Sequence, residues 1–244
     1  MLVRALIPAR SGSKGIHNKN LANGPLCGSK TLIQWTLDAA MESKSITHLC
    51  LSSDDQATVD LLPTKTDNGT SFYPDLRPSE LCGDDTSTEA VVEHVLDKYL
   101  WHKNPGIFVI LQLTSPLRTA QHIDAAIEQM VREKADSLVS VVPSHRFMWY
   151  RHRGQEGLDE VNDWVTSNYD YYKRKMKQSV DHSFMENGAI YAFTFDHWVK
   201  RKCRLGGRIS LFNMEEETGL EIDSPLDLML VDKIMREKEE ASSD

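Results

Sequence analysis

Apolar residues follow two rhythms along the chain. Short continuous runs at Leu2–Ile7, Leu49–Ser52, Ile107–Leu113, Ser137–Val142, Ala189–Phe195 and Ile209–Met214 read as buried strands. Pro8 closes the first run, and Arg4 interrupts it. Ile107–Leu113 is the strongest, with the unbroken apolar character of a strand covered on both faces. Between the runs, apolar residues recur at helical spacing. Leu32, Ile33, Trp35, Leu37, Ala39 and Ala40 predict a helix over Leu32–Met41. Val91, Val92, Val95, Leu96 and Tyr99 predict one over Glu89–Trp101, with Thr86 or Ser87 as cap. Further helices are expected at His122–Lys134, around Asp196–Lys202 and from Ser224. At the last, Ser caps, Pro225 takes the first turn, and Asp227 sits at the positive dipole end. Strands alternating with helices predict an α/β fold built on a mainly parallel sheet. Pro143–Phe184 breaks the pattern. It is polar, aromatic and charged, and reads either as an excursion that packs on a second subunit or as a solvated insertion. Glu237–Asp244 is a charged tail.

The 244 residues suit one large domain or two small ones. Lys and Arg total 28 against 36 Asp and Glu, a net charge of −8. That balance argues against a general binder of nucleic acid or membrane surfaces, and leaves room for a local basic pocket. Cys27, Cys50, Cys82 and Cys203 form no C-x-x-C pair, and their low density suggests reduced thiols in the cytoplasm. No apolar run approaches the length of a membrane helix, and Met1–Arg4 starts no signal peptide, so neither membrane nor secretory pathway is expected. Asn68-Gly69-Thr70 then reads as a chance sequon. The scattered His form no metal-binding pair.

Four places carry candidate chemistry. The loop Pro8-Ala9-Arg10-Ser11-Gly12-Ser13-Lys14-Gly15 follows the first strand and runs on to Lys19 and Asn20. Ligands in open α/β sheets bind at such carboxyl ends. Gly12 and Gly15 admit a close ligand, and Arg10, Lys14 and Lys19 supply three cations, the ingredients of a polyphosphate site. A basic surface turn is the weaker reading. Gly24–Thr31 imitates a Walker A loop, but Ser29 intrudes between Gly28 and Lys30, and no strand precedes it. It reads as a turn before a helix. The second place is Arg77-Pro78-Ser79-Glu80-Leu81 with Asp84-Asp85-Thr86-Ser87. Arg77 suits a base or phosphate as well as solvent, and Asp85 and Thr86 read as helix caps. The third is Gln112, an amide interrupting the strongest strand at its ligand edge, where burial demands a partner. Thr114, Ser115 and Arg118 beside it shape the loop and cap the next helix. The fourth is Glu221-Ile222-Asp223, whose carboxylates would share one side of an extended segment. They suit Mg²⁺ on substrate phosphates, or Asp223 simply caps the helix after Ser224.

Ile7–Gly15 with Lys19-Asn20 closely resembles the opening motif of the acylneuraminate cytidylyltransferases, or CMP-nonulosonate synthetases. Leu76–Leu81, Leu111–Thr119, Glu186–Tyr191 and Glu221–Pro225 resemble that family's later motifs in the same order. The resemblance covers almost the whole chain. It implies a Rossmann-like nucleotide-diphospho-sugar transferase fold, a mainly parallel mixed sheet with helices on both faces. It also implies a homodimer and Mg²⁺-dependent activation of a nine-carbon 2-keto sugar acid by CTP. The chain is read as one domain over 1–244, with the aromatic excursion at about 143–184 as the expected dimer interface. By the same resemblance, Arg10, Ser11, Gly12, Lys14 and Lys19 bind phosphates, and Asn20 and Arg77 lie against cytidine. Gln112, Lys177, Asn187 and Tyr191 approach the sugar, while Asp223 and Glu221 hold metal. Arg10, Lys19 and Asp223 are the expected catalytic residues. Glu221 stands where many members have Asp, and Lys177 and Met185 stand where some have Arg, so the sugar stays open among nonulosonic acids. The alternatives are a non-catalytic nucleotide binder of the same fold, or a transferase using another nucleotide or ketodeoxyoctonate, whose enzymes open with a different loop.

Overall fold

The expected runs and stripes assemble around a mixed seven-stranded sheet in a computed structural model that describes residues 1–12, 15–63, 69–151, 164–173 and 183–241. The chain passes through β1 (Val3–Ala9), a small hairpin of β2 (Leu26–Cys27) and β3 (Lys30–Thr31), α1 (Leu32–Glu42), β4 (His48–Ser53), α2 (Gln56–Val59) and β5 (Ser71–Leu76). Then come α3 (Thr88–Lys98), β6 (Ile107–Ile110), α4 (Ala120–Glu133), β7 (Ser137–Ser144), and β8 (Trp149–Arg151) paired with β9 (Trp164–Thr166). It closes with β10 (Ser183–Thr194), α5 (Phe195–Arg201), β11 (Ile209–Asn213) and α6 (Pro225–Ala241). The sheet order is β11-β7-β10-β6-β1-β4-β5, and only β10 runs against its neighbours.

Alternation along the strands sorts the core onto two faces. Ala5, Ile7, Leu49, Leu51 and Val109 pack with Ile33 and Leu37 of α1 and Ile123 and Ile127 of α4. Leu6, Cys50, Phe108 and Ile110 pack with Val92 and Val95 of α3 and Trp198 of α5. A smaller cluster joins Val231 and Met235 of α6 to Cys27, Leu32 and Ile222.

Several expectations are corrected. β1 runs through Pro8 to Ala9, because its pairing with β6 ends at Leu6 and the missing N–H at Pro8 leaves no ladder bond unmade on that side. Arg4 does not interrupt the strand. Its guanidinium is buried over the Phe195 ring at 5.0 Å and donates to the Asn104 carbonyl at 3.2 Å. β5 has no counterpart among the expected strands, and Pro74 stands in its middle. As an edge strand beside β4 alone, it accommodates the proline. Ser87 caps α3, so Asp85 and Thr86 do not, and Thr119 caps α4 through a box closed by His122. Gly28, at φ +66, turns the β2–β3 hairpin just ahead of α1, as the turn reading required. Ser224 and Asp227 cap α6 reciprocally. In the 143–184 stretch the described part holds the β8–β9 hairpin, with Met148, Tyr150, Phe184 and Met185 exposed. No helix of the described residues is long and apolar enough to cross a membrane.

Candidate active site

Parallel strands β1, β4, β5 and β6 end at one edge of the sheet, and their sequels meet there. Arg10 follows β1, Asp54 follows β4, Arg77 follows β5 and Gln112 follows β6. Asp54 anchors the first loop by accepting from the Ser11 amide at 2.9 Å and from its hydroxyl. Arg10 donates to Asp84 at 2.7 Å. Arg77 is buried, its Nε on the Ser52 hydroxyl at 3.1 Å and its Nη2 on the Ser52 carbonyl at 2.8 Å. Burial lowers its pKa, and Asp54 and Asp75 oppose that. Arg10, Asn20, Arg77 and Gln112 line one pocket with Pro8, Thr86 and Thr114. Asn20 itself lines this pocket, and its buried Oδ1 atom has no hydrogen-bond partner among the described residues. A buried amide oxygen left this way costs about 1–3 kcal/mol, so the position suits a ligand donor.

The segment 221–223 forms the opposite wall. The Ile222 amide donates to the Thr114 carbonyl at 2.8 Å, which ties the segment to the end of β6. Lys19, buried at 5% exposure, donates to the Ile222 carbonyl at 2.5 Å and pairs with Asp223 at 2.9 Å. The loop lies directly on this segment, and a Cβ at Gly15 would collide with the Asp223 carbonyl. Asp223 is exposed, whereas Glu221 is half-buried. Burial first, then the charges of Asp223 and Glu186, raise the Glu221 pKa, and Lys19 opposes them. Gly188, at φ +63, brings the backbone against both walls. A Cβ there would stand 2.5 Å from Glu221 Oε2 and 2.7 Å from Gln112 Oε1. Among the described residues no three His, Cys, Asp or Glu side chains cluster as a metal site.

The structure therefore brings Arg10, Ser11, Lys19, Asn20, Arg77, Gln112, Glu221 and Asp223 together, with Gly12 exposed beside Arg10. Lys14 and Lys177 lie outside the described residues. Asn187 is wholly buried and committed to the interior. Its Oδ1 accepts from the Ser140 hydroxyl at 2.6 Å, and its Nδ2 donates to Thr218 at 3.0 Å. Tyr191 donates to Glu186 at 2.9 Å, beneath the Arg204 guanidinium, and burial with that bond raises its pKa. Arg118 is buried too, donating to the carbonyls of Gln112 (3.0 Å) and Ala189 (2.9 Å), so it shapes the loop without capping a helix. Sequence reasoning missed Asp54 and Asp84 as partners of the first loop, and Gly188 as the contact between walls. It also missed a hollow of about 700 Å³ next to Leu220 that His145, Arg146 and Met185 line. Gly188 was visible inside a motif, but its left-handed backbone was not.

A family model described as cytidylyltransferase matches residues 4–148. An N-acylneuraminate cytidylyltransferase of Escherichia coli O18:K1:H7 is 30% identical over 239 residues, 96% of this chain and 52% of its own length. A post-translational flagellin modification protein B of Campylobacter coli is 26% identical over 234 residues, covering 95% of this chain and 94% of its own. The chain thus spans about half the length of the first relative and nearly all of the second. Among solved structures, a CMP:2-keto-3-deoxy-manno-octonic acid synthetase complexed with CTP superposes with a TM-score of 0.64 at 17% identity, covering 98% of this chain and 100% of its own. A 4-diphosphocytidyl-2C-methyl-D-erythritol synthase superposes at 0.60 with 12% identity, covering 96% and 99%. These likenesses bear out the expected nucleotide-diphospho-sugar transferase fold.

Proposed function

The chain belongs to the cytidylyltransferase family, and from that premise we propose that it transfers the cytidylyl group of CTP to a nonulosonic acid. The anomeric 2-hydroxyl oxygen of the acid gives up its proton to water and bonds to the α-phosphorus, the bond from that phosphorus to the bridging oxygen breaks, and pyrophosphate leaves. The observation that carries this reading is Asn20, whose amide oxygen has no partner among the described residues, lining a pocket with Arg10 and Arg77. It offers an acceptor for an amino group such as cytosine carries, beside cations for phosphate. Relatives named for N-acylneuraminate support a nonulosonic acid over ketodeoxyoctonate.

Each residue then has a task. Arg10, Ser11, Gly12, Lys14 and Lys19 hold the phosphates. Arg10 exchanges Asp84 for phosphate oxygen, and Lys19 lies between the loop and Asp223. Asn20 and Arg77 orient the cytidine. Gln112, Tyr191 and Lys177 are the residues assigned to the acceptor, Tyr191 acting from beneath through Glu186. Asn187 acts from the interior by holding the turn at Gly188. The donor set fits Mg²⁺: Asp223 and Glu221 supply two carboxylates, and that cation takes its remaining ligands from phosphate and water. Bound there, Mg²⁺ would neutralise charge on the triphosphate. Such transfers depend on positioning and charge stabilisation, which the loop and the 221–223 wall supply. We place the protein in the cytoplasm as a homodimer through about 143–184, supported by its four free cysteines and by the exposed Met148, Tyr150 and Phe184. Light scattering of a monomer at micromolar concentration would contradict the dimer.

A thermal-shift panel tests the nucleotide. A ligand at 100 times its Kd stabilises by about 2.7 kcal/mol, so saturating CTP should raise Tm while UTP, ATP and GTP do not. A shift with another nucleotide and none with CTP would contradict the reading.

A further inference from the structure

Among the described residues, the mechanism above leaves one buried carboxylate unused. Asp75 lies on β5, two residues before Arg77, and is fully buried. Donors surround it: the Ser52 hydroxyl at 2.6 Å, Lys98 Nζ at 2.5 Å and His94 Nε2 at 3.2 Å, the last two from α3. These bonds hold its pKa below the usual carboxylate value although burial opposes them.

The geometry has a direction. Ser52 has one hydroxyl proton, and it points to Asp75. Its oxygen lone pairs are then free to accept from Arg77 Nε at 3.1 Å, while the Ser52 carbonyl takes Nη2 at 2.8 Å. With no carboxylate behind it, the same hydroxyl could rotate its proton towards the guanidinium and repel it. Two nitrogens of Arg77 are thus fixed by one residue, whose orientation is set by Asp75. The backbone agrees, since β4 and β5 place Ser52 opposite Asp75 in register.

We propose that Asp75 is a positioning residue for nucleotide binding: through the Ser52 hydroxyl it locks the Arg77 guanidinium against the pocket wall, and α3 holds it there with Lys98 and His94. This rests on the reading of the pocket as a CTP site. A purely structural Asp75 would pin α3 to the sheet and leave CTP affinity untouched.

The test is a double-mutant cycle read by calorimetric titration of CTP into the full chain, without acceptor. Ser52→Ala breaks the link while Asp75, Lys98 and His94 stay together, so it keeps the fold testable where Asp75→Asn fails to fold. Ser52→Ala should weaken CTP binding about tenfold, the order of one hydrogen bond to a charged group. In an Arg77→Ala background it should change affinity less than about twofold, since its partner is gone. Asp75→Asn, where folded, should show the same dependence on Arg77. Equal effects of Ser52→Ala in both backgrounds, or unchanged CTP affinity with a lower Tm, would overturn the inference alone. Absence of CTP binding by the unsubstituted protein would overturn the nucleotide reading and the inference with it.

Discussion

Gly188→Ala tests whether the two walls of the site must approach as closely as they do. Ordinary Cβ contacts begin at 3.4 Å, and a methyl at Gly188 would stand 2.5 Å from Glu221 Oε2 and 2.7 Å from Gln112 Oε1, so the shortfalls are 0.9 Å and 0.7 Å. Both side chains must retreat by most of an ångström. The backbone adds strain, because φ is +63 and a left-handed conformation costs an L-residue about 1–2 kcal/mol. At about 2–4 °C per kcal/mol for a chain of this size, Tm should fall by about 2–8 °C, and the protein stays folded at 25 °C. Misplacement of about 1 Å costs about 10²-fold in rate, so kcat/KM should drop about a hundredfold. Gly69→Ala is the control. It carries a similar φ of +85 with nothing among the described residues within 4 Å of its Cβ, and should lose stability without losing rate. Steady-state kinetics with CTP, acceptor and Mg²⁺, beside thermal melts, read both quantities. Equal kcat/KM in the two variants would refute the role given to the Glu221–Gly188–Gln112 contact.

Three further outcomes follow from the same geometry. Lys19→Ala and Arg10→Ala should each lower kcat by about 10²–10³, the usual loss for one preorganised charge-stabilising group, with unchanged circular dichroism; wild-type kinetics would refute the phosphate-loop assignment. Asp223→Asn should lose nearly all turnover across a Mg²⁺ titration while Glu221→Asp is better tolerated, and the opposite order would reverse their roles. Glu221→Gln should raise Tm at neutral pH. Its folded pKa is raised by burial and by Asp223 and Glu186, so its ionised form costs stability above that pKa. The advantage of the amide should vanish as pH falls through it, and a variant that melts lower at neutral pH would contradict this sign.

The loop from Arg10 to Asn20 was legible because its ingredients are local: two glycines and three cations just beyond an apolar strand. The α6 cap was legible for the same reason, with Ser224 and Asp227 three residues apart. β5 was not, because what makes Ser71–Leu76 a strand lies elsewhere. Its Asp75 is buried only because Ser52, Lys98 and His94 reach it from β4 and α3, and sequence spacing does not announce that meeting. Asn187 misled in the other direction. A polar residue inside a recognisable motif reads as a ligand contact, yet Ser140 and Thr218, 47 and 31 residues away, take up its amide. The partners of Arg10 and Ser11, Asp84 and Asp54, are likewise long-range and depend on the order of the strands.

The most direct measurement of the central claim is pyrophosphate release by the purified chain with CTP, Mg²⁺ and a panel that includes N-acetylneuraminate, its deaminated relative, legionaminate, pseudaminate and ketodeoxyoctonate. We expect release with at least one nonulosonic acid, matched by formation of the CMP-sugar and lost in Lys19→Ala. No release above background with any nonulosonic acid would contradict the account.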